Sequence, residues 1–408
     1  MRKFKIVTLG CRTNQYESQG YADQLRGLGY TPAEEGETAD VCIVNTCTVT
    51  EGADRSSRHE IRQLLREHPN AKLAVTGCMA ERAPEEVLKL GEGITLVPNL
   101  EKEGLLAALL PEESRLPEFN IQSFDHHTRA FVKVQDGCNS FCTYCIIPYV
   151  RGRSRSRPIP EVVREVEGLI ANGYKEVVIT GINVGDFDGG GCLADLVRAV
   201  DQVEGLKRLR ISSIDPDEVD ENLADAVLNG RVTCPSMHIV LQSGSNVTLK
   251  RMNRKYTRQM FLDTVDKMVE KNPDFTVTTD IIVGFPGETE ADFAETVDVV
   301  QNVKFAKIHM FPYSARKRTR AALYSNQVPS EIVSRRKQEL LRLAEQTAFR
   351  LRERFVGREM SVLLEQGETG HTENFLPVLM RASGLKPNDL VRCKLIENTP
   401  EGLVGHIL

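Results

Sequence analysis

The 408-residue sequence contains no run of 18 or more apolar residues, which is the length that a membrane-spanning helix needs. It also lacks an apolar signal segment at its start, because Met1-Arg2-Lys3-Phe4-Lys5-Ile6 leads directly into a strand-like pattern. We therefore expect a cytoplasmic protein that has no membrane partner.

Positive charge is not in excess either, since 57 acidic residues outnumber 52 basic ones and give a net charge of −5. This balance argues against indiscriminate nucleic-acid binding, although it leaves room for local basic patches. The composition, 41% hydrophobic and 27% charged, is that of an ordinary globular protein. The length exceeds what one core comfortably fills, so we expect two or three domains.

Cysteine, in contrast, is abundant, with ten residues. In a cytoplasmic chain this number indicates metal binding or redox chemistry more than disulfides. Cys138, Cys142 and Cys145 lie in one short loop after an apolar strand-like segment. A structural zinc ion would need a fourth Cys or His ligand, and no suitably spaced one is nearby. Three thiolates instead suit an iron-sulfur cluster that keeps one metal position open to a non-protein ligand.

Short apolar strands alternate with helices across residues 1–112, and this pattern predicts a doubly wound parallel sheet. Cys11, Cys47 and Cys78 each follow one of its first three predicted strands. Loops beyond the carboxyl ends of parallel strands share one edge, where ligands bind, so these cysteines should converge. The alternative is that they are small buried apolar residues. For the others we expect packing roles, namely Cys42, Cys192, Cys234 and Cys393.

The rest of the chain divides into four segments, which with the first give an α/β protein. Residues 113–129 carry prolines and charges without periodicity and are predicted to be a linker. Residues 130–328 hold six strand-helix units, typical of a partial (β/α)6 barrel whose active site lies at the C-terminal ends of its strands. A charged helix at 329–356 precedes short strands at 357–408, which predict a small all-β barrel of a kind that binds nucleic acid.

The spacing Cys138-x3-Cys142-x2-Cys145, with Tyr144 before the last cysteine, resembles the signature of the radical S-adenosylmethionine superfamily. The resemblance implies a [4Fe-4S] cluster whose open iron binds S-adenosylmethionine, which one electron cleaves to a 5′-deoxyadenosyl radical. The module order, with Cys11, Cys47 and Cys78 in an N-terminal domain, then a radical domain and a TRAM-like barrel, resembles the methylthiotransferases over nearly the whole chain. That family implies a second, auxiliary [4Fe-4S] cluster on the N-terminal cysteines.

Within the methylthiotransferases, residues 210–214, 241–245 and 310–314 most resemble the branch that acts on threonylcarbamoyl-adenosine at position 37 of tRNA. One departure is Arg318, which stands where the branch usually has Gly in Arg-x-Gly-Thr. If this turn needs a positive φ, arginine should strain it.

Further site residues follow from the resemblance and from charge. The resemblance places S-adenosylmethionine at strand ends, with the cofactor-binding residues Tyr144, Gly181, Asn183, Ser213, Gln242, Ser243, Gly284 and Gly287. Two dense basic runs near strand ends are candidates for tRNA phosphate contacts, although such runs are often only a solvated face. Their candidate RNA-binding residues are Arg151, Arg153, Arg155, Arg157, Arg316 and Arg318.

The function implied is replacement of the carbon-hydrogen bond at carbon 2 of the modified adenine by a methylthio group. One S-adenosylmethionine would methylate sulfur associated with the auxiliary cluster, and a second would supply the radical that abstracts the hydrogen. We expect a monomer whose partners are the tRNA anticodon stem-loop and a flavodoxin- or ferredoxin-like electron donor, with the base splayed out of its stack. The alternatives are the isopentenyl-adenosine branch, a branch that modifies a ribosomal-protein aspartate, and a non-catalytic RNA-binding iron-sulfur redox sensor.

Overall fold

The computed structural model describes residues 2–124, 127–382 and 384–408. The N-terminal part is a parallel sheet of five strands in the order β2-β1-β3-β4-β5, flanked by helices. The predicted doubly wound sheet is thereby confirmed. Its elements in chain order are β1 (Lys3–Thr8), α1 (Arg12–Gly27), β2 (Thr31–Pro32), β3 (Val41–Thr46), α2 (Glu51–Glu67), β4 (Lys72–Gly77), α3 (Cys78–Arg82), α4 (Pro84–Leu88), β5 (Ile94–Leu96) and α5 (Leu105–Leu109).

The central strands of this sheet are apolar on both faces because helices cover both. Along β3, Ile43 packs into one core with Tyr21 and Leu25 of α1. The next residue, Val44, points to the opposite face and packs with Ile61 of α2. Such continuous apolar strands are typical of a parallel sheet that is buried on both sides.

The segment predicted as a linker is an extended connection that packs closely against its neighbours. The ring of Phe119 lies edge-on to Tyr21 of α1, with 5.8 Å between centroids. Further along, Ile121 and Phe124 are buried in the core of the central part. Residues 125 and 126 of this segment lie outside the described residues. The connection therefore contributes to two cores instead of acting as a free tether.

The central part consists of two three-stranded parallel sheets, β6-β9-β10 and β11-β12-β13. Parallel bridges from Leu209 to Thr233 and from Ile214 to Ile239 join them into one curved sheet of six strands. Among the described residues β6 and β13 do not pair with each other, so the barrel is open on that side. This confirms the partial barrel. Its elements are β6 (Arg129–Lys133), β7 (Gln135–Asp136), α6 (Ile147–Val150), β8 (Arg155–Ser156), α7 (Ile159–Ala171), β9 (Glu176–Thr180), α8 (Leu193–Asp201), β10 (Arg208–Ile211), α9 (Glu221–Leu228), β11 (Ser236–His238), α10 (Asn246–Arg251), α11 (Arg258–Lys271), β12 (Thr276–Val283), α12 (Glu290–Val303) and β13 (Lys307–Pro312).

The C-terminal part is a long helix followed by a closed five-stranded barrel in the order β14-β15-β16-β18-β17. The small all-β barrel is therefore confirmed. Strand β15 had no counterpart in the sequence prediction because Thr369-Gly370-His371-Thr372 carries no apolar alternation. The elements are α13 (Ser330–Glu353), β14 (Glu359–Gln366), β15 (Thr369–Thr372), β16 (Pro377–Met380), β17 (Leu390–Asn398) and β18 (Leu403–Ile407).

Two arginines fix this small barrel beneath the N-terminal ends of the central strands. Arg208 donates to the carbonyl of His371 at 2.9 Å, and Arg210 donates to the carbonyl of Thr372 at 3.0 Å. Both also face the buried carboxylate of Glu176, which Arg210 contacts at 2.7 Å. Burial alone would raise the pKa of Glu176, but these arginines outweigh it and hold that pKa below its usual value.

The cysteines outside the two predicted triads divide into two groups. Cys42, Cys234 and Cys393 are buried, as the packing prediction requires. The prediction is wrong for Cys192, which is exposed at the N-terminus of α8 with its sulfur 3.2 Å from Asp195 Oδ2. Its apolar neighbours in sequence belong to the helix that it precedes, so they gave no information about its own burial. In the described part of the chain, no helix is both long and apolar enough to cross a bilayer.

Candidate active site

The Cys138–Cys145 loop follows β7 and precedes α6 within the short hairpin β7–β8, at the C-terminal end of the partial barrel. The hairpin, which sequence periodicity missed because each strand has only two residues, closes the base of the loop. The amide of Cys138 donates to the carbonyl of Gly152 at 3.1 Å, and Cys145 donates back to Cys142 at 3.0 Å. Phe141 in the middle of the loop has φ +48°, a backbone conformation that residues other than glycine rarely adopt.

The three thiols of this loop are electrostatic neighbours of one another. Burial raises the pKa of Cys145, and the nearby sulfurs of Cys142 and Cys138 raise it further. Arg254 from the loop after α10 donates to Cys142 Sγ at 3.0 Å. Crowded thiols of this kind become ligands when a metal supplies the positive charge that their thiolates need.

The second triad lies on the carboxyl edge of the N-terminal sheet. Cys11 precedes α1 directly after β1, Cys47 follows β3, and Cys78 is the first residue of α3 after β4. Burial raises the pKa of Cys47 to about 12, and the neighbouring thiols of Cys78 and Cys11 act in the same direction. The strands β1, β3 and β4 are adjacent in the sheet, so the three cysteines converge at its topological switch point.

Two glycines allow this convergence. A Cβ on Gly10, which has φ +97°, would lie 2.9 Å from Cys47 Cβ and 3.0 Å from its sulfur. A Cβ on Gly77, at φ +92°, would lie 2.4 Å from the carbonyl oxygen of Thr46. Real Cβ atoms do not approach so closely, so glycine before Cys11 and before Cys78 is a steric requirement of the triad.

Each triad offers three thiolates. Among the described residues, no group of three or more His, Cys, Asp or Glu side chains is arranged to hold one metal ion. A structural zinc ion needs four such ligands around one centre. In a [4Fe-4S] cluster each thiolate binds a different iron, so three cysteines suit a cluster whose fourth iron binds a non-protein ligand.

The two triads face each other. Cys78 packs against Ile146 and Val150, which closely follow Cys145. Asn99 joins the same two sides, since its amide donates to the carbonyl of Val150 at 2.6 Å and lies 3.9 Å from Cys78 Sγ. The N-terminal sheet edge and the barrel mouth therefore form one site with a cysteine triad on each side.

A cavity of about 250 Å³ opens between these two sides. Val49 and Thr50 line it from the loop after Cys47, and Tyr144, Cys145 and residues of the barrel strands line it from the other side. One of the barrel residues is Gln242, whose φ is +62° and whose buried Oε1 has no hydrogen-bond partner among the described residues. An orphaned buried acceptor and a strained backbone in a cavity wall are typical of a ligand site.

Gln135 ties the cysteine loop to the segment after β9 that includes Gly181 and Asn183. Its Oε1 accepts from the amides of Ile182 and Asn183, each at 2.9 Å, while its Nε2 donates to the carbonyl of Gly137 at 2.7 Å. The predicted residues Gly181 and Asn183 are therefore held beside the loop.

Asn183 leads to a polar cluster that the sequence prediction missed. Its side chain donates to Glu218 Oε1 at 2.9 Å, and burial followed by the charge of Asp215 raises the pKa of Glu218 to about 7. Asp215 is itself paired with Arg254, the partner of Cys142. Asp215 and Glu218 follow β10, just as the predicted residues follow their strands. Their position after a strand could therefore have identified them as site residues.

The other predicted cofactor residues are placed less directly. Ser213 is half-buried after β10, and Ser243 is buried with its hydroxyl accepting from the amide of Ser245 at 3.2 Å. Gly284 and Gly287 are not among the described residues that line the cavity. Gly284 packs against Val333 of α13 instead, and Gly287 accepts from Arg251. Their cofactor role stays a prediction.

Two of the arginines predicted to contact RNA are buried, and the prediction is wrong for them. Arg151 is 0% exposed and contacts Glu17 Oε1 at 3.1 Å and Asp136 Oδ1 at 2.8 Å. Arg316 is 8% exposed and contacts Asp54 Oδ2 at 3.0 Å. A guanidinium that is enclosed and neutralised by protein carboxylates cannot reach a phosphate.

Two further arginines are partly engaged within the protein. Arg155 contacts Asp136 Oδ2 at 3.2 Å, and Arg157 contacts Glu165 Oε2 at 2.8 Å. The side chains remain 44% and 28% exposed respectively, so an RNA contact stays a prediction for both.

Arg153 and Arg318 are exposed, and they bring the two basic runs together beside the cysteine loop. Arg153 lies over the ring of Phe141 at 4.4 Å, and Arg318 lies over the ring of Tyr149 at 6.0 Å. These two rings are in edge-to-face contact, 6.5 Å apart. Tyr149 is exposed and Phe141 is half-buried, and arginine beside accessible aromatic rings is a combination that binds single-stranded nucleic acid.

Two family models match the chain. The model described as "Uncharacterized protein family UPF0004" matches residues 3–98, which carry the second triad. The model described as "Radical SAM superfamily" matches residues 132–300, which carry the Cys138–Cys145 loop.

Curated relatives match over the full length. The chain is 48% identical to the "Threonylcarbamoyladenosine tRNA methylthiotransferase MtaB" of Chlamydia pneumoniae, over 99% of this chain and 98% of the relative. It is 35% identical to the "tRNA-2-methylthio-N(6)-dimethylallyladenosine synthase" of Carboxydothermus hydrogenoformans, over 100% of this chain and 96% of the relative.

A solved structure supports the fold. The radical S-adenosylmethionine methyltransferase TsrM of Kitasatospora setae superimposes with a TM-score of 0.56 at 14% identity, over 76% of this chain and 75% of that one. At this identity the likeness concerns the fold alone.

We predict that Arg151→Gln lowers the free energy of unfolding by about 3 kcal/mol, because it leaves buried carboxylates without their partner. The matched control Arg153→Gln removes an exposed charge two residues away and should cost less than about 0.5 kcal/mol. Denaturant unfolding of the two variants measures the difference. Equal effects would contradict the assignment of Arg151 to the buried network.

We also predict that Arg318→Gly stabilises the protein by about 1 kcal/mol, because Arg318 has φ +78°, the strained conformation expected from the sequence. Arg318→Ala removes the side chain but keeps the strain, so it is the control and should not stabilise. The measurement is the melting temperature of each variant. A stability gain in Arg318→Ala as large as in Arg318→Gly would assign the effect to the charge instead of the backbone.

Proposed function

The chain belongs to the radical S-adenosylmethionine methylthiotransferase family, and we propose that it attaches a methylthio group to carbon 2 of N6-threonylcarbamoyladenosine at position 37 of tRNA. The observation that carries this proposal is the closeness of the two cysteine triads: Cys78 packs against Ile146, which follows Cys145, and Cys145 lines a cavity with Val49 and Thr50 from the loop after Cys47. The substrate rests on the 48% identity to a relative named for threonylcarbamoyladenosine, against 35% for one named for dimethylallyladenosine.

The donor sets specify two [4Fe-4S] clusters in this proposal. Cys138, Cys142 and Cys145 would hold one, and Cys11, Cys47 and Cys78 would hold the other. Together with S-adenosylmethionine, the clusters when bound supply the radical reactivity needed at an unactivated carbon-hydrogen bond and the methylated sulfur that replaces the hydrogen.

One protein side chain beside the first triad suits the ammonium group of an amino acid. Glu218 has no cationic partner among the described residues, so it can accept such a group. Arg254 is already paired with Asp215 and donates to Cys142 Sγ, so it orients the loop. The methionyl part of S-adenosylmethionine carries an ammonium group, and we assign its binding to Glu218 together with Asn183.

Aromatic side chains border the same cavity. Phe285 packs against Tyr144, Tyr313 and Tyr324, with ring centroids 5.5 to 6.3 Å apart. Such a wall excludes water and offers an apolar face to an adenine ring. The rim formed by Arg153, Arg318 and their two aromatic partners would hold the anticodon loop while the target base enters, because a stacked base exposes carbon 2 poorly.

The test of the function is the nucleoside composition of tRNA from a strain that lacks the gene. We expect the methylthio form of threonylcarbamoyladenosine to disappear while its unmethylthiolated precursor accumulates. Restoring the wild-type gene should bring the product back, and a Cys142→Ala gene should not. Loss of the methylthio form of dimethylallyladenosine instead would contradict the proposed substrate.

The triad assignment predicts about eight irons per reconstituted chain, and about four when either triad loses a cysteine. Cys47→Ala should still cleave S-adenosylmethionine to 5′-deoxyadenosine, because the Cys138–Cys145 loop is intact, whereas Cys142→Ala should not. Iron analysis and product quantification measure both. Cys192→Ala is the matched control and should keep about eight irons; a loss of iron there equal to that of Cys47→Ala would refute the assignment.

A further inference from the structure

A second cavity, of about 220 Å³, occupies the interior of the partial barrel between its open edges. Residues of both edge strands line it, Arg129 from β6 and Lys307 and His309 from β13. His371 and Phe375 of the C-terminal barrel form its floor. One further lining residue, Arg12, comes from α1 of the N-terminal part. The cavity is therefore enclosed by all three parts of the chain.

Arg12 enters this cavity from the side of the second triad. It follows Cys11 directly in sequence, and its guanidinium lies 5.6 Å from the ring centroid of Phe131 on β6. Arg12 is exposed and is one of the residues that line the cavity. The cation thus lies within one side chain's length of the proposed auxiliary cluster.

Unlike the other arginines of the interior, Arg12 has no carboxylate partner among the described residues. Arg210 is paired with Glu176 at 2.7 Å and Arg129 with Glu365 at 3.0 Å. The strongest charges acting on Arg12 are those of Arg129 and Arg210, which repel it. A cation beside like charges is stabilised by an anion in contact with it, and no described carboxylate makes that contact with Arg12.

Two acids, Glu176 and Asp280, attract Arg12, but among the described residues neither forms an ion pair with it. Glu176 is engaged by Arg208 and Arg210. Asp280 lies 3.4 Å from His238 Nε2. The guanidinium of Arg12 is therefore placed to bind an anion from outside the protein.

The cavity with Arg12 adjoins the cavity between the triads. Thr278 lines the former and Asp280 the latter, and these residues are two apart on the same face of β12. His238, which lines the cavity with Arg12, contacts Asp280. A base whose carbon 2 faces the triads can therefore extend a substituent on its exocyclic nitrogen toward Arg12.

We propose that Arg12 binds the carboxylate of the threonyl group of the substrate and so selects N6-threonylcarbamoyladenosine over adenosines whose N6 substituent is uncharged. This inference rests on the proposed function and adds a specificity-determining residue to it. The threonyl carboxylate is an anion that this substrate carries and a dimethylallyl group lacks. A planar guanidinium can hold it through two parallel hydrogen bonds.

The test compares two anticodon stem-loops that differ only in the threonyl group, one with the free carboxylate and one with its methyl ester. Wild-type protein with both clusters reconstituted should bind the acid about tenfold or more tightly than the ester, as expected for a hydrogen-bonded charged pair. Arg12→Gln should bring this ratio close to one. Arg12→Lys should give an intermediate ratio, because it keeps the charge and loses the bidentate geometry. Fluorescence anisotropy under anaerobic conditions measures the affinities.

Arg153→Gln is the matched control, since it removes one positive charge from the exposed rim. It should weaken the binding of both stem-loops alike and leave their ratio unchanged. A change of ratio in Arg153→Gln equal to that in Arg12→Gln would overturn the proposal in favour of a general charge effect. Unchanged iron content in Arg12→Gln shows that the adjacent cysteine still binds its cluster.

Equal affinity of the wild-type protein for acid and ester would overturn the proposal without any substitution, so it remains falsifiable even if Arg12→Gln does not fold. A wild-type ratio retained in Arg12→Gln would also overturn it. If tRNA from the deletion strain has then lost methylthio-threonylcarbamoyladenosine, the proposed function stands and only this inference falls. If the wild-type protein instead binds a stem-loop carrying dimethylallyladenosine more tightly, both the proposed substrate and the role of Arg12 are contradicted.

Discussion

The buried charges around Arg151 are the interaction on which the site depends. Glu17 on α1 and Asp136 in the hairpin before Cys138 share three cations, Arg151, Lys102 and Lys133. Neither carboxylate could be buried alone, because an uncompensated buried charge costs several kcal/mol. The N-terminal sheet and the barrel therefore neutralise one another. This fixes the second triad relative to the first through electrostatics instead of through the connecting segment.

The same network also affects the chemistry of the triad above it. Because Arg155 also contacts Asp136, cations outnumber the two carboxylates here, and the charges of Cys78 and Cys11 act on Arg151 directly. Thiolate ligands and an iron-sulfur cluster bring negative charge to this place, which the excess positive charge offsets. Arg151, which joins the N-terminal sheet to the barrel, thus also stabilises the thiolates of the N-terminal triad.

The sequence predicted what is determined locally. The prediction that Cys11, Cys47 and Cys78 lie at one edge of the sheet was correct, because each follows a strand and parallel strands share a carboxyl edge. The sequence failed where burial depends on distant partners. Arg151 and Arg153 are two residues apart in one basic run, yet Glu17, 134 residues from Arg151, decides that only one is buried. The partnership of Glu218, Asp215 and Arg254 likewise joins separate loops, and no local pattern announces it.

Pairing of most arginines within the protein explains how an acidic chain can present a selective surface to RNA. Arg151 and Arg316 are neutralised internally, while Arg153 and Arg318 remain at the rim over Phe141 and Tyr149. Arg318 holds this place at φ +78°, a conformation that glycine would adopt without cost. Proteins retain such strain where the side chain serves binding more than stability. We interpret Arg318 in this way: its backbone strain lowers stability and is retained because the side chain places a cation beside the entrance of the site.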